Sequence, residues 1–127
     1  MERLKHTEIT DKIIKAFFRV YNILGYGFLE KVYENARIVE LKKLGLSVVA
    51  QHPIRVLYEN IVVGEYFPDI LVENSVIVEI KTAKAIVVEY EAQLLNYLKA
   101  TKLEVGLTLN FGPKPEFSRK AFDNVRQ

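Results

Sequence analysis

The chain has 127 residues, of which half are hydrophobic and 27% are charged, with a net charge of +2. This composition is typical of one globular domain and excludes a disordered chain. The lack of cysteine excludes disulfides, zinc–thiolate sites and cysteine nucleophiles, and it favours a reducing cytoplasm. No apolar stretch reaches the ~18 residues of a membrane span, and the first residues lack the apolar core of a secretory signal. We therefore expect a single cytoplasmic domain over residues 1–127 that contacts no membrane.

The first third of the sequence predicts two helices. Apolar residues from Ile9 to Leu24 recur at helical spacing, and the glycines around Tyr26 end this pattern. A second amphipathic stretch predicts a helix over 28–44, followed by Gly45 in the left-handed conformation that ends many helices.

The rest of the chain is rich in strands. β-Branched and aromatic runs predict strands over 46–51, 54–58, 61–72 with a bulge at Gly64, 76–81 and 105–111. A helix over 87–100 separates the last two, which predicts a right-handed parallel crossover. The last dozen residues are a candidate edge strand. This order predicts the α/β class, with a mixed sheet of four to five strands flanked by helices.

The most informative segment is a hairpin of two apolar strands that carries two carboxylates. If its turn is centred on Asn74, Asp69 faces Glu79 across the hairpin, with Cβ atoms about 5 Å apart. Carboxylates this close repel each other, and a divalent cation between them converts the repulsion into binding. A two-residue turn would instead place Asp69 opposite Ile80 and put the two acids on opposite faces. The metal hypothesis therefore requires the odd-length turn.

Lys81 lies two residues beyond Glu79, so both side chains project from the same face. Its ammonium would reach a phosphate or position a water, and the backbone carbonyl of Ile80 is a candidate further ligand. Hard oxygen ligands without cysteine favour Mg²⁺ or Mn²⁺ over zinc. The alternative from the residues alone is a surface ion-pair cluster of Asp69, Glu79 and Lys81.

Several motifs resemble a known family. Asp69 and Glu79-Ile-Lys81, preceded by Pro68, resemble the PD-(D/E)XK nuclease signature. The run Gly27-Phe-Leu-Glu-Lys-Val-Tyr33 is similar to the motif that names the GxxExxY family within that superfamily. Further runs agree in order and spacing: 24–27, 93–98 and 109–112. The resemblance covers roughly residues 9–119 and implies a restriction-endonuclease-like core with nuclease activity.

The resemblance also implies a role for each matching residue. Asp69 and Glu79 would be metal ligands, and Lys81 would be the catalytic lysine. Glu30 would add an acidic ligand, often through water, although a lone glutamate on a helix is commonly a solvated charge.

Each of two further residue pairs has an alternative role. Gln93 and Tyr97 resemble a glutamine–tyrosine helix motif that contacts the catalytic lysine or the substrate, but one helical turn apart they would also be able to bond each other. Arg119 and Lys120 are candidates for phosphate binding, or they are edge-strand charges that discourage aggregation.

The sequence thus predicts a Mg²⁺- or Mn²⁺-dependent nuclease that hydrolyses phosphodiester bonds, with DNA as the expected substrate. A non-catalytic nucleic-acid binder and a protein-interaction module that retain the fold are the alternatives. A homodimer stays open, as do the choice between DNA and RNA and the choice between endo- and exonuclease action.

Overall fold

The computed structural model describes residues 6–122 and begins with two helices, α1 (Thr7–Leu24) and α2 (Glu30–Lys43). α1 ends at Gly25, whose φ of 68° is unfavourable for other residues. After α2, the Gly45 N–H donates to the Lys42 carbonyl at 3.0 Å and the Leu46 N–H donates to the Leu41 carbonyl at 3.1 Å. With Gly45 at φ 82°, these two bonds form a Schellman motif, which confirms the predicted end of α2.

The strands follow α2, with one more helix between the fifth and sixth. The elements in order are β1 (Val48–Ala50), β2 (Ile54–Tyr58), β3 (Ile61–Tyr66), β4 (Ile70–Val72), β5 (Val76–Lys81), α3 (Val88–Ala100), β6 (Val105–Phe111) and β7 (Pro115–Ala121). Five strands form one sheet in the order β1-β4-β5-β6-β7, while β2 and β3 form a separate hairpin. β5 and β6 are parallel and the other neighbours are antiparallel. The predicted α/β class and mixed sheet are confirmed, as is the parallel β5–α3–β6 crossover.

The predicted strand over 61–72 is wrong, because the chain leaves one sheet and enters another within it. β3 ends at Tyr66 and β4 begins at Ile70. Pro68 between them has no N–H to donate and restricts the backbone of Phe67, so a continuous ladder cannot pass through. The predicted bulge is close to its expected place: Gly64 pairs with Val56 and the register then shifts by one residue. The predicted C-terminal edge strand is β7, while residues 123–127 lie outside the described range.

Helices cover both faces of the sheet, and β5 contributes to both. Val76, Val78 and Ile80 pack with the buried residues of α1 and α2, whereas Ile77 packs with Leu94 and Leu98 of α3. Because side chains alternate along a strand, Glu79 and Lys81 share the α3 face with Ile77. Within residues 6–122, no helix is both long and apolar enough to cross a bilayer.

The loop after β5 is tied to the end of β6. Asn110 is fully buried, its Oδ1 accepts from the Ala83 N–H and its Nδ2 donates to the Ala83 carbonyl, both at 2.9 Å. Gly112 lies against the same carbonyl, and a Cβ added there would come within 2.0 Å of the oxygen. The approach of these two loops therefore requires glycine at position 112.

Gly112→Ala is expected to lower the free energy of unfolding by about 1–3 kcal/mol, since backbone must move to admit the methyl group. Urea denaturation measures this change. Gly64→Ala is the matched control, because a Cβ there meets nothing within 4 Å, and it should leave the stability unchanged or raise it by up to about 1 kcal/mol. Equal stability of the two variants would contradict the close approach.

Candidate functional site

The turn between β4 and β5 sets the register of the two carboxylates. Val72 pairs with Val76, which is the odd-length turn that the metal hypothesis requires. Glu73 and Asn74 both take left-handed backbone, with φ of 53° and 55°, and the Ser75 N–H donates to the Val72 carbonyl at 2.9 Å. Asparagine tolerates this conformation better than most residues. Continuing the pairing outward places Asp69 opposite Glu79.

Hydrogen bonds join the two acidic positions directly. The Ile80 N–H donates to Asp69 Oδ2 at 2.8 Å, and a bond from the Asp69 backbone reaches the Glu79 carboxylate. The Gln51 side chain also bonds Asp69. Both carboxylates are half-buried, so they are fixed by the hairpin that carries them.

The electrostatics of this pair disfavour two negative charges. Burial raises the pKa of the Asp69 carboxyl and raises the pKa of Glu79 to about 7. The charge of Lys81 lowers both pKa values, whereas the charge of Glu34 raises both. Glu30 adds to the repulsion at Glu79. An additional cation would therefore stabilise the ionised pair.

Helix α2 contributes the other two acids. Glu30 is exposed, and its Oε2 accepts from the Thr82 hydroxyl at 3.5 Å. Glu34 is only 5% exposed and forms an ion pair with Lys31 at 2.9 Å. The sequence analysis missed Glu34, although its position one turn after Glu30 was the available signal.

The two acids of the hairpin and the two acids of α2 do not form a complete metal-binding cluster. Across residues 6–122, no three histidine, aspartate or glutamate side chains converge tightly enough to hold an ion by themselves. The structure thus brings Asp69 and Glu79 together, and Glu30 lies beside Thr82 instead of completing a three-acid cluster.

Aromatic side chains surround Glu79 and Lys81. The Tyr66 hydroxyl donates to Glu79 Oε2, and the Tyr66 ring stacks on Tyr97 with centroids 3.6 Å apart and planes 7° apart. Lys81 Nζ lies 4.7 Å from the centre of the Tyr90 ring. Tyr97 is therefore linked to Glu79 through Tyr66. The sequence analysis missed Tyr66, because it predicted one continuous strand over 61–72 and not the break at Pro68.

The remaining predicted residues lie on α3 and β7. Gln93 is exposed on α3, one turn before Tyr97. Arg119 and Lys120 pair with the first half of β6, whereas Lys81 pairs with Asn110 near its end. The Lys120 ammonium forms an ion pair with Glu91 at 2.9 Å.

The donor atoms fit a hard divalent cation. Mg²⁺ usually binds proteins through one or two carboxylates and keeps several waters, so it does not need a third acid in direct contact. Asp69 and Glu79 supply such a pair, and their ionised forms are costly without a compensating positive charge. Cysteine, which zinc would favour, is absent from the chain.

Comparison with known families agrees with this geometry. The sequence model of the PD-(D/E)XK nuclease superfamily matches residues 7–120. No curated protein and no solved structure gives a significant match. The narrower GxxExxY assignment stays a prediction. Because the match covers most of the chain and includes the hairpin with Asp69, Glu79 and Lys81, this chain belongs to the PD-(D/E)XK nuclease superfamily.

Proposed function

We propose that this chain is a metal-dependent nuclease that hydrolyses phosphodiester bonds of nucleic acid, with DNA as the expected substrate. The observation that carries the proposal is the pair of half-buried carboxylates, one directly before β4 and one on β5, with Lys81 on the same face as Glu79 and a superfamily match around them. We further propose that residues 1–127 form one such domain.

The proposed roles follow from the positions of the side chains. Asp69 and Glu79, with the Ile80 carbonyl, would hold Mg²⁺ or Mn²⁺, and Glu30 would bind through water. The bound ion would polarise the phosphate and lower the pKa of a water molecule. Lys81 orients the attacking water and stabilises negative charge that develops on the phosphate.

Five further side chains complete the proposal. Tyr66 holds the Glu79 carboxylate, and its stacking on Tyr97 fixes the phenol. Gln93, exposed one turn before Tyr97, would contact the substrate. Arg119 and Lys120 would contact phosphates of a longer substrate away from the cleavage point, where such contacts give affinity without reading sequence.

A non-catalytic nucleic-acid binder is the second candidate. The open arrangement of the acids, with no three converging among the described residues, is the observation that favours it. Such a protein would bind nucleic acid equally well with and without divalent cations.

Cleavage of a panel of labelled substrates distinguishes the candidates. We expect cuts in single-stranded, double-stranded or branched DNA, or in RNA, with Mg²⁺ or Mn²⁺ and none with EDTA. Asp69→Ala, purified in the same way, controls for a contaminating nuclease and should cut nothing. Folded wild-type protein that binds nucleic acid but cuts no member of the panel would overturn the proposed activity.

A further inference from the structure

A small pocket lies beside the proposed catalytic centre at the end of the sheet. It has a volume of about 320 Å³ and is formed by three loops, at residues 26–28, 82–84 and 111–113. The middle loop begins with Thr82, which directly follows Lys81, and the Thr82 hydroxyl lies 3.5 Å from Glu30 Oε2. The pocket is therefore continuous with the loop that leaves the proposed catalytic lysine.

The first wall of the pocket is held by Tyr33. Its hydroxyl donates to the Gly25 carbonyl at 2.6 Å and accepts from the Phe28 N–H at 3.3 Å. Tyr33 is completely buried, and its ring meets Phe28 edge-on. The short segment between α1 and α2 is therefore fixed at both ends by one side chain.

The other two walls are held in the same manner. Asn110 makes two hydrogen bonds with the backbone of Ala83. The Tyr21 hydroxyl lies 2.8 Å from the Gly112 carbonyl and 2.9 Å from the Pro113 carbonyl. Buried or half-buried polar side chains thus tie each loop to the core, so the pocket is preformed and not a gap between mobile segments.

Exposed aromatic rings line this fixed pocket. Tyr26 is 61% exposed and Phe28 is 46% exposed, and the exposed Lys84 lies on the same cavity. Exposed rings on a rigid frame beside a lysine form a stacking surface next to a positive charge. Proteins bind unpaired bases with this combination, because every base has a flat face and a phosphate beside it.

We propose that this pocket binds an unpaired base of the substrate strand, next to the phosphate held at Lys81, with Tyr26 as the stacking surface and Lys84 on the adjacent phosphate. The inference rests on the proposed nuclease function and specifies its substrate class as single-stranded or locally unpaired nucleic acid. In an intact duplex both faces of a base are already stacked, so a base must leave the helix before Tyr26 can contact it.

The test measures binding in EDTA, so that no cleavage is needed. Tyr26→Ala is expected to weaken binding of a labelled single-stranded oligonucleotide by about fivefold to a hundredfold, as loss of one stacking partner does. Binding of a blunt duplex should not change. Tyr26→Phe, which keeps the ring, should bind single strands like the wild type.

Tyr58→Ala is the matched control, because Tyr58 is 64% exposed and lies on β2 in the separate hairpin. It should bind like the wild type. As a second readout, the fluorescence of a single-stranded oligonucleotide containing 2-aminopurine should be quenched by the wild type and by Tyr26→Phe, but not by Tyr26→Ala.

Equal affinity of Tyr26→Ala and the wild type for single strands would overturn the inference, and so would an equal loss in Tyr58→Ala. These results would leave metal-dependent cleavage untouched. Conversely, a wild-type protein that cuts nothing but shows the Tyr26-dependent binding would retain the base pocket and refute the nuclease activity.

Discussion

Lys81→Met is expected to slow cleavage by about 100- to 1000-fold, the usual cost of removing one group that stabilises charge in the transition state. Lys81 is half-buried on the face that carries Glu79, and its ammonium rests over the Tyr90 ring. Methionine keeps most of the volume of the side chain and removes only the charge. Single-turnover cleavage with saturating Mn²⁺ measures the rate.

The same variant should still bind Mn²⁺. Loss of the Lys81 charge makes Asp69 and Glu79 harder to ionise, because that charge lowers both pKa values. It also removes a repulsion between the ammonium and the incoming ion. These two effects oppose each other, so calorimetry at pH 8.5, above the wild-type Glu79 pKa of about 7, should find Mn²⁺ binding retained.

Lys99→Met is the control for loss of a lysine, since Lys99 is exposed in the last turn of α3. It should cut at the wild-type rate. If Lys81→Met cut at the wild-type rate, the lysine would have no role in the proposed chemistry. Loss of both cleavage and Mn²⁺ binding would instead give Lys81 a structural role.

The ends of the first two helices were predictable because local chemistry determines them. Glycine at positions 25 and 45 ends α1 and α2 whatever packs around them. From sequence, the hairpin register is only a condition, since β4 and β5 are apolar on both faces and a slip of one residue would move side chains between two covered faces. The break at Pro68 was missed because Ile61–Tyr66 and Ile70–Val72 read as one β-rich run. Only the sheet topology separates them.

The site was predictable only where it follows strand alternation. Asp69, Glu79 and Lys81 share a face because of the register and the two-residue period. Tyr66 and Glu34 reach the same acids from a separate hairpin and from α2. Their contacts with these acids depend on how the hairpin and helix pack on the sheet, which strand alternation does not give.

Glu79 should make Mn²⁺ binding strongly dependent on pH. Because burial raises its pKa to about 7, the carboxyl is protonated below that pH and must lose a proton before it can bind an ion. Release of one proton per ion weakens the apparent affinity about tenfold for each pH unit below 7. Calorimetry at pH 5.5, 7.0 and 8.5 measures this. Glu79→Gln should remove most of the binding at all three pH values.

The same carboxyl should cost the folded protein stability at high pH. The pKa of Glu79 rises from the ordinary 4.5 to about 7 on folding. Between pH 4.5 and pH 7, the folded state therefore binds more protons than the unfolded state. The free energy of unfolding therefore falls as the pH rises through this window, and it stays low above pH 7. At about 1.4 kcal/mol for each unit of pKa, the loss is at most about 3.5 kcal/mol.

Glu79→Gln removes this charge but keeps an oxygen that can accept from the Tyr66 hydroxyl. Urea denaturation should therefore find the variant more stable than the wild type at pH 8 and nearly equal to it at pH 4.5. Glu65→Gln, at an exposed position of β3, should show no such difference. A variant less stable than the wild type at pH 8 would mean that the Glu79 charge supports the fold. A gain at pH 8 together with lost Mn²⁺ binding would mean that the chain keeps an unfavourable buried charge because the ion needs it.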